Sequence, residues 1–455
     1  MKRFTYTGLA LCFVLVLGLS GCSEDEPGGP LGQNETSGSL KKTSDKYLVE
    51  YSNEAQMVKS VSTVGGMVVD IMDPIKVAIV TGLSDDAAEK LETLQGVQFV
   101  TRDEVKKWVP TYQEAIIGAK QNFTNPTPSG APMDAGLYGL QWGLQAIDAP
   151  GAWNVTTGSS EIRVGILDTG GSPEHVDLVG KYDLSKCINF SISNPGDPSD
   201  WQDRHFHGTH VAGTISTNNI GVAGVAPDVT LIAVKVLGDN GSGSFEDIIR
   251  GIIYAADEAD CDIINMSLGG YGPRQASGRF LSMIYRAMNY AKSQGALVVC
   301  SAGNSSMDMD HNQNIVVVPA EAGSGMAVSA TGPLNQQNFD TFACYSNYGN
   351  SAISVAAPGG NGDCVNGGFL TPLDGVLSCL APYVAGSNAA YAFAAGTSMA
   401  APHVAGVAAL VMDAKGNSNP GYVKSRLQNT ADDLGAPGND PYYGKGRINA
   451  AAAVQ

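Results

Sequence analysis

From about residue 138 to the C-terminus, short apolar runs alternate with amphipathic stretches. The runs at 163–167, 231–237, 262–267, 297–301, 325–330 and 353–357 are nearly continuous in apolar residues, without polar alternation. Such runs predict strands covered on both faces. Between and after them lie helical patterns at 207–217, 245–259, 279–292, 399–414 and 421–430. The second carries Ile248, Ile249, Ile252 and Ile253 on one stripe. This alternation predicts an α/β domain over 138–455 with three layers around a central, mostly parallel sheet. In such sheets reactive groups gather at the carboxyl ends of strands.

The preceding chain has a different pattern. Residues 47–51, 75–80 and 97–100 read as strands. Ser84-Asp85-Asp86 opens a helix carrying Ala88, Leu91 and Leu94, closed by Gly96. Residues 45–110 are thus a small α+β unit. A Gly/Pro/Ser-rich linker at 22–44 precedes it, and a Pro/Gly/Asn-rich connection at 111–137, suited to cleavage, follows it. At the start, Lys2-Arg3 leads into an apolar run at 9–19, too short to span a bilayer, and 1–21 reads as a signal sequence. Its end, Leu19-Ser20-Gly21-Cys22, resembles a bacterial lipobox, which implies lipidation of Cys22. The acidic run Ser23-Glu24-Asp25-Glu26 is similar to the surface-export tag of some Gram-negative lipoproteins. With no other transmembrane-like stretch, the expected location is the cell envelope, at the outer membrane, held by the lipid; the acidic run leaves open surface exposure or a plain solvated linker.

The net charge of −17 argues against nucleic acid as a partner. Of eight cysteines, six remain once Cys12 and Cys22 are set aside. Cys261 and Cys300 lie in apolar runs and read as buried thiols. Cys364 and Cys379 bracket a Gly-rich loop and are the expected disulfide, with Cys187 and Cys344 unassigned. No spacing suggests zinc.

Four segments carry candidate chemistry. Ser398 lies in Gly396-Thr397-Ser398-Met399-Ala400-Ala401-Pro402-His403, at the start of a small-residue helix, where unpaired N–H groups favour developing negative charge. Asp168 ends the apolar run Val164-Gly165-Ile166-Leu167. His207 opens His207-Gly208-Thr209-His210-Val211-Ala212-Gly213. Asn304 ends Val298-Val299-Cys300-Ser301-Ala302-Gly303. Alone, each has an ordinary use as a cap, turn or core residue. Together they supply a nucleophile, a base, a carboxylate to fix that base and a donor for an oxyanion.

In this order the segments resemble the subtilisin-like serine protease family. The resemblance extends to Gly221-Val222-Ala223-Gly224-Val225-Ala226-Pro227, Ala233-Val234-Lys235-Val236-Leu237, Asn265-Met266-Ser267-Leu268-Gly269-Gly270 and Gly444-Lys445-Gly446-Arg447-Ile448-Asn449-Ala450. It covers the chain from about Gln141 onward and implies the subtilisin-like fold and a serine endopeptidase acting on proteins or peptides. It implies Ser398 as nucleophile, His207 as general base then acid, Asp168 as its orienting carboxylate, and Asn304 with the Ser398 N–H as oxyanion hole. Ser267, Leu268, Gly269 and Gly270 with Ser301, Ala302 and Gly303 would flank the pocket for the residue before the cut. Gly241, Ser242 and Gly243 would pair with substrate as a strand edge. His210 and His403 would be structural. The small N-terminal unit is similar to the family's propeptide inhibitor, of ferredoxin-like type, which implies a zymogen.

No cofactor is implied for the chemistry. The loop Thr217-Asn218-Asn219-Ile220-Gly221 resembles a family calcium loop one residue short, so Asp177 and Asn219 are candidate ligands of a structural Ca²⁺. Three further departures stand out. Phe206 precedes the histidine where the family usually has glycine. Val317 lies where a glycine often floors the pocket. The 359–391 insert is longer than in compact members and enters just before Ser398. A catalytically silent, surface-anchored binding protein with the same fold is the alternative.

Overall fold

Six of the apolar runs and one short addition assemble into a single sheet in the computed structural model, which describes residues 43–109, 121–122, 130–191, 197–312, 314–364 and 370–455. Its strands are β6 (Arg163–Asp168), β7 (Ile188–Asn189), β8 (Thr230–Lys235), β10 (Ile263–Met266), β12 (Leu297–Ser301), β14 (Met326–Thr331) and β15 (Ile353–Pro358). Their order is β15-β14-β12-β10-β6-β8-β7, and every pairing is parallel. Helices cover both faces, so the strands are buried on both sides, in keeping with their largely apolar character. On one face lie α3 (His207–Ile215) and α7 (Thr397–Lys415). On the other lie α4 (Phe245–Asp257) and α5 (Arg274–Ser293). α8 (Pro420–Asn429) follows α7.

Helix α7 crosses β10, β12, β14 and β15. Its small residues let it sit close to its neighbours: a Cβ on Gly406 would fall 2.6 Å from that of Val225. The helix is buried from Thr397 to Met412, so its position is fixed by packing along its length rather than by its intrinsic propensity.

The N-terminal unit runs β1 (Thr43–Tyr51), α1 (Glu54–Thr63), β2 (Met67–Met72), β3 (Val77–Thr81), α2 (Asp85–Glu92) and β4 (Val97–Lys107). The strand order β2-β3-β1-β4 is antiparallel throughout, a ferredoxin-like βαββαβ arrangement. Ser84 caps α2 by accepting from the Ala87 N–H, as expected. The unit contains α1 and β2, which the sequence pattern did not reveal. β2 is an edge strand with Met67 and Val69 exposed, so its apolar residues carry no burial signal. Within the predicted linker, β5 (Gln121–Asn122) pairs antiparallel with β17 (Ala390–Ala394). Cys22, Cys12 and the proposed signal sequence lie outside the described residues. Among the described residues, no helix is long and apolar enough to cross a membrane.

The disulfide differs from expectation. Cys344 pairs with Cys364, their Cα atoms 6.1 Å apart, and Cys379 is a free, buried thiol. Cys379 ends β16 (Val376–Cys379), which turns its sulfur inward against α3; a Cβ on Gly213 would lie 2.6 Å from it. Bracketing a loop in sequence therefore does not bring Cys364 and Cys379 together. Cys261 and Cys300 are buried free thiols, and Cys187 is free.

Candidate active site

Asp168 is the last residue of β6, and His207 the first of α3. Both carboxylate oxygens of Asp168 lie against His207 Nδ1, at 2.8 and 3.0 Å, and the pair is buried. The Thr169 N–H fixes Asp168 Oδ1 at 2.7 Å. An acceptor-only carboxylate on this side puts the imidazole proton on Nδ1 and leaves Nε2 as the basic atom. His207 Nε2 is buried without a hydrogen-bond partner among the described residues.

Ser398 lies in the first turn of α7, which packs against α3. Its hydroxyl donates to Ser267 O at 3.1 Å, and Ser267 Oγ donates back to Ser398 O at 2.7 Å. The second bond has a covalent cause. Pro402, four residues on, has no N–H, so the Ser398 carbonyl lacks its helical donor and takes Ser267 instead. The nucleophile is thereby tied to the strand end that lines the groove. In this conformation base and nucleophile are not yet bonded; such contacts often tighten only when substrate binds.

Asn304 Oδ1 accepts from both the N–H (2.9 Å) and the hydroxyl (2.8 Å) of Thr397. Two donors identify that atom as the oxygen and leave Nδ2 of the exposed Asn304 as donor, near the same point by Gly396 as the Ser398 N–H. The Ser398 N–H belongs to the first helical turn, where N–H groups lack the acceptor four residues back that the helix interior supplies. Thr397 also accepts from the Gly303 N–H at 3.0 Å, so one hydroxyl joins the two loops. Sequence reading passed over Thr397 although it sits between the turn glycine and the serine.

It also missed Asp203. This buried carboxylate accepts from the N–H groups of His205, Phe206 and Thr209 and from the hydroxyls of Thr209 and Thr169. Burial alone raises its pKa, but the Thr209 hydroxyl, Lys235 and the backbone donors outweigh that and hold it below the usual carboxylate range. It caps α3 from four residues ahead of His207, and an aspartate just before a helix was the available signal. His210 bonds Val376 O and Ala392 O, and His403 bonds Met399 O. Burial pushes the first down to about 3 and the second to about 4, so both stay neutral supports.

The N-terminal unit meets the α/β domain through β4 and the residues after it. β4 pairs antiparallel with β9 (Ser242–Ser244), matching Val105 with Ser244, Lys106 with Gly243 and Lys107 with Ser242. Beyond it, the Trp108 N–H donates to Gly241 O at 2.9 Å, and Trp108 O accepts from the Gly269 N–H at 3.2 Å. The Trp108 indole donates to Gly243 O and stands edge-on to Phe245, ring centroids 5.0 Å apart. Thus Gly241, Ser242 and Gly243 on one side and Gly269 on the other bond to the extended chain 105–108. A Cβ on Gly270 would lie 3.2 Å from the indole, so the absence of a side chain there lets Trp108 sit close. Ser301 Oγ donates to Leu268 O, and Asn347 Nδ2 to Ala302 O, which tie the second wall to its neighbours.

Behind β4 the same contact holds buried acids. Asp103 accepts the Glu246 N–H on one oxygen, and its other oxygen has no hydrogen-bond partner among the described residues. Burial and Glu246 push Asp103 up to about 7; burial, Glu246 and Asp103 push Asp247 up to about 8. Lys46 and Arg250 pair with Glu246, Arg250 also with Asp70, and Arg286 with Glu50.

The calcium expectation does not fit this geometry. Asp177 accepts from the N–H groups of Ile220, Gly221 and Val222 and from the Tyr391 hydroxyl. Asn219 Oδ1 accepts from the Thr217 hydroxyl. Donors aimed at both carboxylate oxygens leave this loop anchored by hydrogen bonds where a cation would need those lone pairs. No cluster of three or more acidic, His or Cys ligands occurs among the described residues.

The sequence model of the Subtilase family matches residues 159–446. Thermitase of Thermoactinomyces vulgaris is 36% identical over 327 residues, 71% of this chain and 99% of its own. Subtilisin Savinase of Lederbergia lenta is 37% identical, over 70% of this chain and 99% of its own. Among solved structures, the epidermin leader peptide processing serine protease of Staphylococcus aureus has a TM-score of 0.74 at 23% identity, covering 90% of this chain and 97% of its own, a likeness of fold. Fervidolysin of Fervidobacterium pennivorans, a keratinolytic enzyme, has a TM-score of 0.67 at 26% identity, covering 92% of this chain and 62% of its own.

Proposed function

This chain belongs to the subtilase family, and from that membership we propose that it is a serine endopeptidase made as a zymogen and exported as a lipoprotein anchored through Cys22. The observation that carries the chemistry is the buried Asp168–His207 pair, with His207 Nε2 unpartnered among the described residues and its helix packed against the one that holds Ser398 in its first turn. His207 Nε2 takes the Ser398 proton as the hydroxyl attacks a peptide carbonyl. Asp168 stabilises the imidazolium, and Asn304 Nδ2 with the Ser398 N–H receives the oxyanion. The proton then passes to the leaving amine, and water releases the acyl group by the same route in reverse. The test is fluorophosphonate labelling after removal of the N-terminal unit. Label on Ser398, lost in Ser398→Ala, is expected; a folded protein that takes up no label would refute the reading.

The N-terminal unit acts as the inhibitor: Trp108 and the end of β4 lie where substrate would be paired. Its hold depends on pH through Asp103 of β4 and Asp247 of α4, beside which lie Glu246 and Arg250 of α4, Lys46 of β1 and Asp70 of β2. Docked, Asp103 titrates near 7 and Asp247 near 8, whereas a solvated aspartate titrates near about 4. Docking therefore takes up protons. It is strongest below about pH 4, weakens as pH rises from about 4 to 8, and is weakest above that. Titration calorimetry of the separated N-terminal unit with the Ser398→Ala catalytic domain should give affinity at least about tenfold weaker at pH 8 than at pH 5. Asp103→Asn should flatten the dependence, and equal affinity at both pH values would disprove it.

Val317 sets the size of the pocket for the residue before the cut. It is buried in β13 (Ile315–Val318), and its Cγ1 would be 3.6 Å from a Cβ on Gly303. The side chain fills space beside the 301–303 wall and favours small residues. In peptide-library profiling, Val317→Gly should raise kcat/KM for Phe or Tyr relative to Ala by about tenfold. A wild-type preference for Phe or Tyr would contradict it.

A further inference from the structure

We propose that Phe206 is a positioning residue for His207, clamped by the insert that ends in β17, and that it sets the spacing between base and nucleophile; this rests on the catalytic reading above. Phe206 has φ 132° and ψ −32°, a conformation that L side chains rarely adopt and that suits glycine. A bulky residue persists there only when its surroundings hold it. Its N–H donates to Asp203 Oδ1 at 3.1 Å, and its carbonyl accepts from the His210 N–H at 3.0 Å in the first turn of α3. The ring is fully buried in a socket of Leu380, Ala381, Ala390 and Ala392. One face stacks on His205, centroids 4.9 Å apart and planes 21° apart. It also meets the His207 imidazole edge-to-face, at 5.8 Å and 78°.

The socket explains the departure from glycine. Leu380 and Ala381 join β16 to α6 (Pro382–Ala385), and Ala390 and Ala392 belong to β17. β17 leads through Gly396 into Ser398. The strand that delivers the nucleophile therefore carries the pocket for the residue that precedes the base. With glycine at 206, α3 and β17 would meet only through backbone and small side chains, and the imidazole would lose the ring packed on its face. With phenylalanine, a rigid body of fixed thickness separates them. The alanines at 390 and 392 supply the room, so ring and insert form one fitted part.

Two measurements test this. In processed enzyme, Phe206→Gly is expected to lower kcat by about 10- to 100-fold with KM within about twofold, since misplacement of a reacting group acts on the chemical step. Phe206→Leu, which refills the socket, should recover most of the loss. A Phe206→Gly enzyme with kcat within about twofold of the parent overturns the proposal. The second measurement uses the full chain with Ser398→Ala and needs no turnover: the downfield proton resonance of His207 Nδ1–H in the bond to Asp168. It should shift or broaden in the Phe206→Gly background, return in Phe206→Leu, and leave the other amide resonances in place. An unchanged resonance rejects the proposal, even if the chain proves not to be a peptidase. Loss of that resonance with collapse of the whole spectrum in both variants assigns Phe206 to stability alone and also rejects it.

Discussion

Asp168→Asn is expected to reduce kcat by about 10⁴-fold, with KM and the folded state little changed; the size is that known for amidating the carboxylate of a serine protease triad. The cause is readable in the hydrogen bonds. Both oxygens of Asp168 face His207 Nδ1, so the ring must present a proton there. An asparagine can keep the bond from the Thr169 N–H with its oxygen. Its NH₂ then meets Nδ1, which must become an acceptor, and the proton moves to Nε2, where it blocks removal of the Ser398 proton. The charge that would offset the imidazolium is gone as well. Steady-state kinetics on a peptide substrate, with circular dichroism as control, checks this. A loss smaller than about 100-fold would mean that the buried pair is structural.

The second large effect concerns inhibition. Trp108→Ala should weaken inhibition of the catalytic domain by the separated N-terminal unit by about 10²- to 10³-fold, the range for truncating a central aromatic anchor at an interface. Trp108 is 4% exposed. It bonds Gly241, Gly243 and Gly269 and packs on Phe245. Only the indole's bond to Gly243 and its packing are lost on truncation, so β4 should still pair, loosely, with β9. The inhibition constant measured in trans reports the change; an increase of less than about threefold would assign the anchoring to the ion pairs instead.

The site was legible where one residue type must stand at a strand end or a helix start. Asp168 closes an apolar strand, and His207 and Ser398 open helices of small residues, so pattern and chemistry coincide. What depended on contacts between distant segments was not legible. Asp177 has the identity and place of a cation ligand, yet its lone pairs are taken by three backbone N–H groups and a tyrosine 214 residues away. Cys344 and Cys364 pair because two loops meet, which the spacing of Cys364 and Cys379 concealed. The backbone of Phe206 lies where no local rule places a phenylalanine; only the insert's alanines account for it. β2 escaped notice because an exposed edge strand lacks a clear in-and-out apolar rhythm.

The antiparallel match of β4 with 242–244 has a consequence for what can be a target. The walls of the cleft engage amide and carbonyl groups of a straightened chain, groups that a helix or an interior strand already uses for itself. A well-packed protein is therefore refused however suitable its side chains, until a stretch of it comes loose. Vulnerability to this enzyme should track how readily a target unzips locally more closely than what its sequence spells.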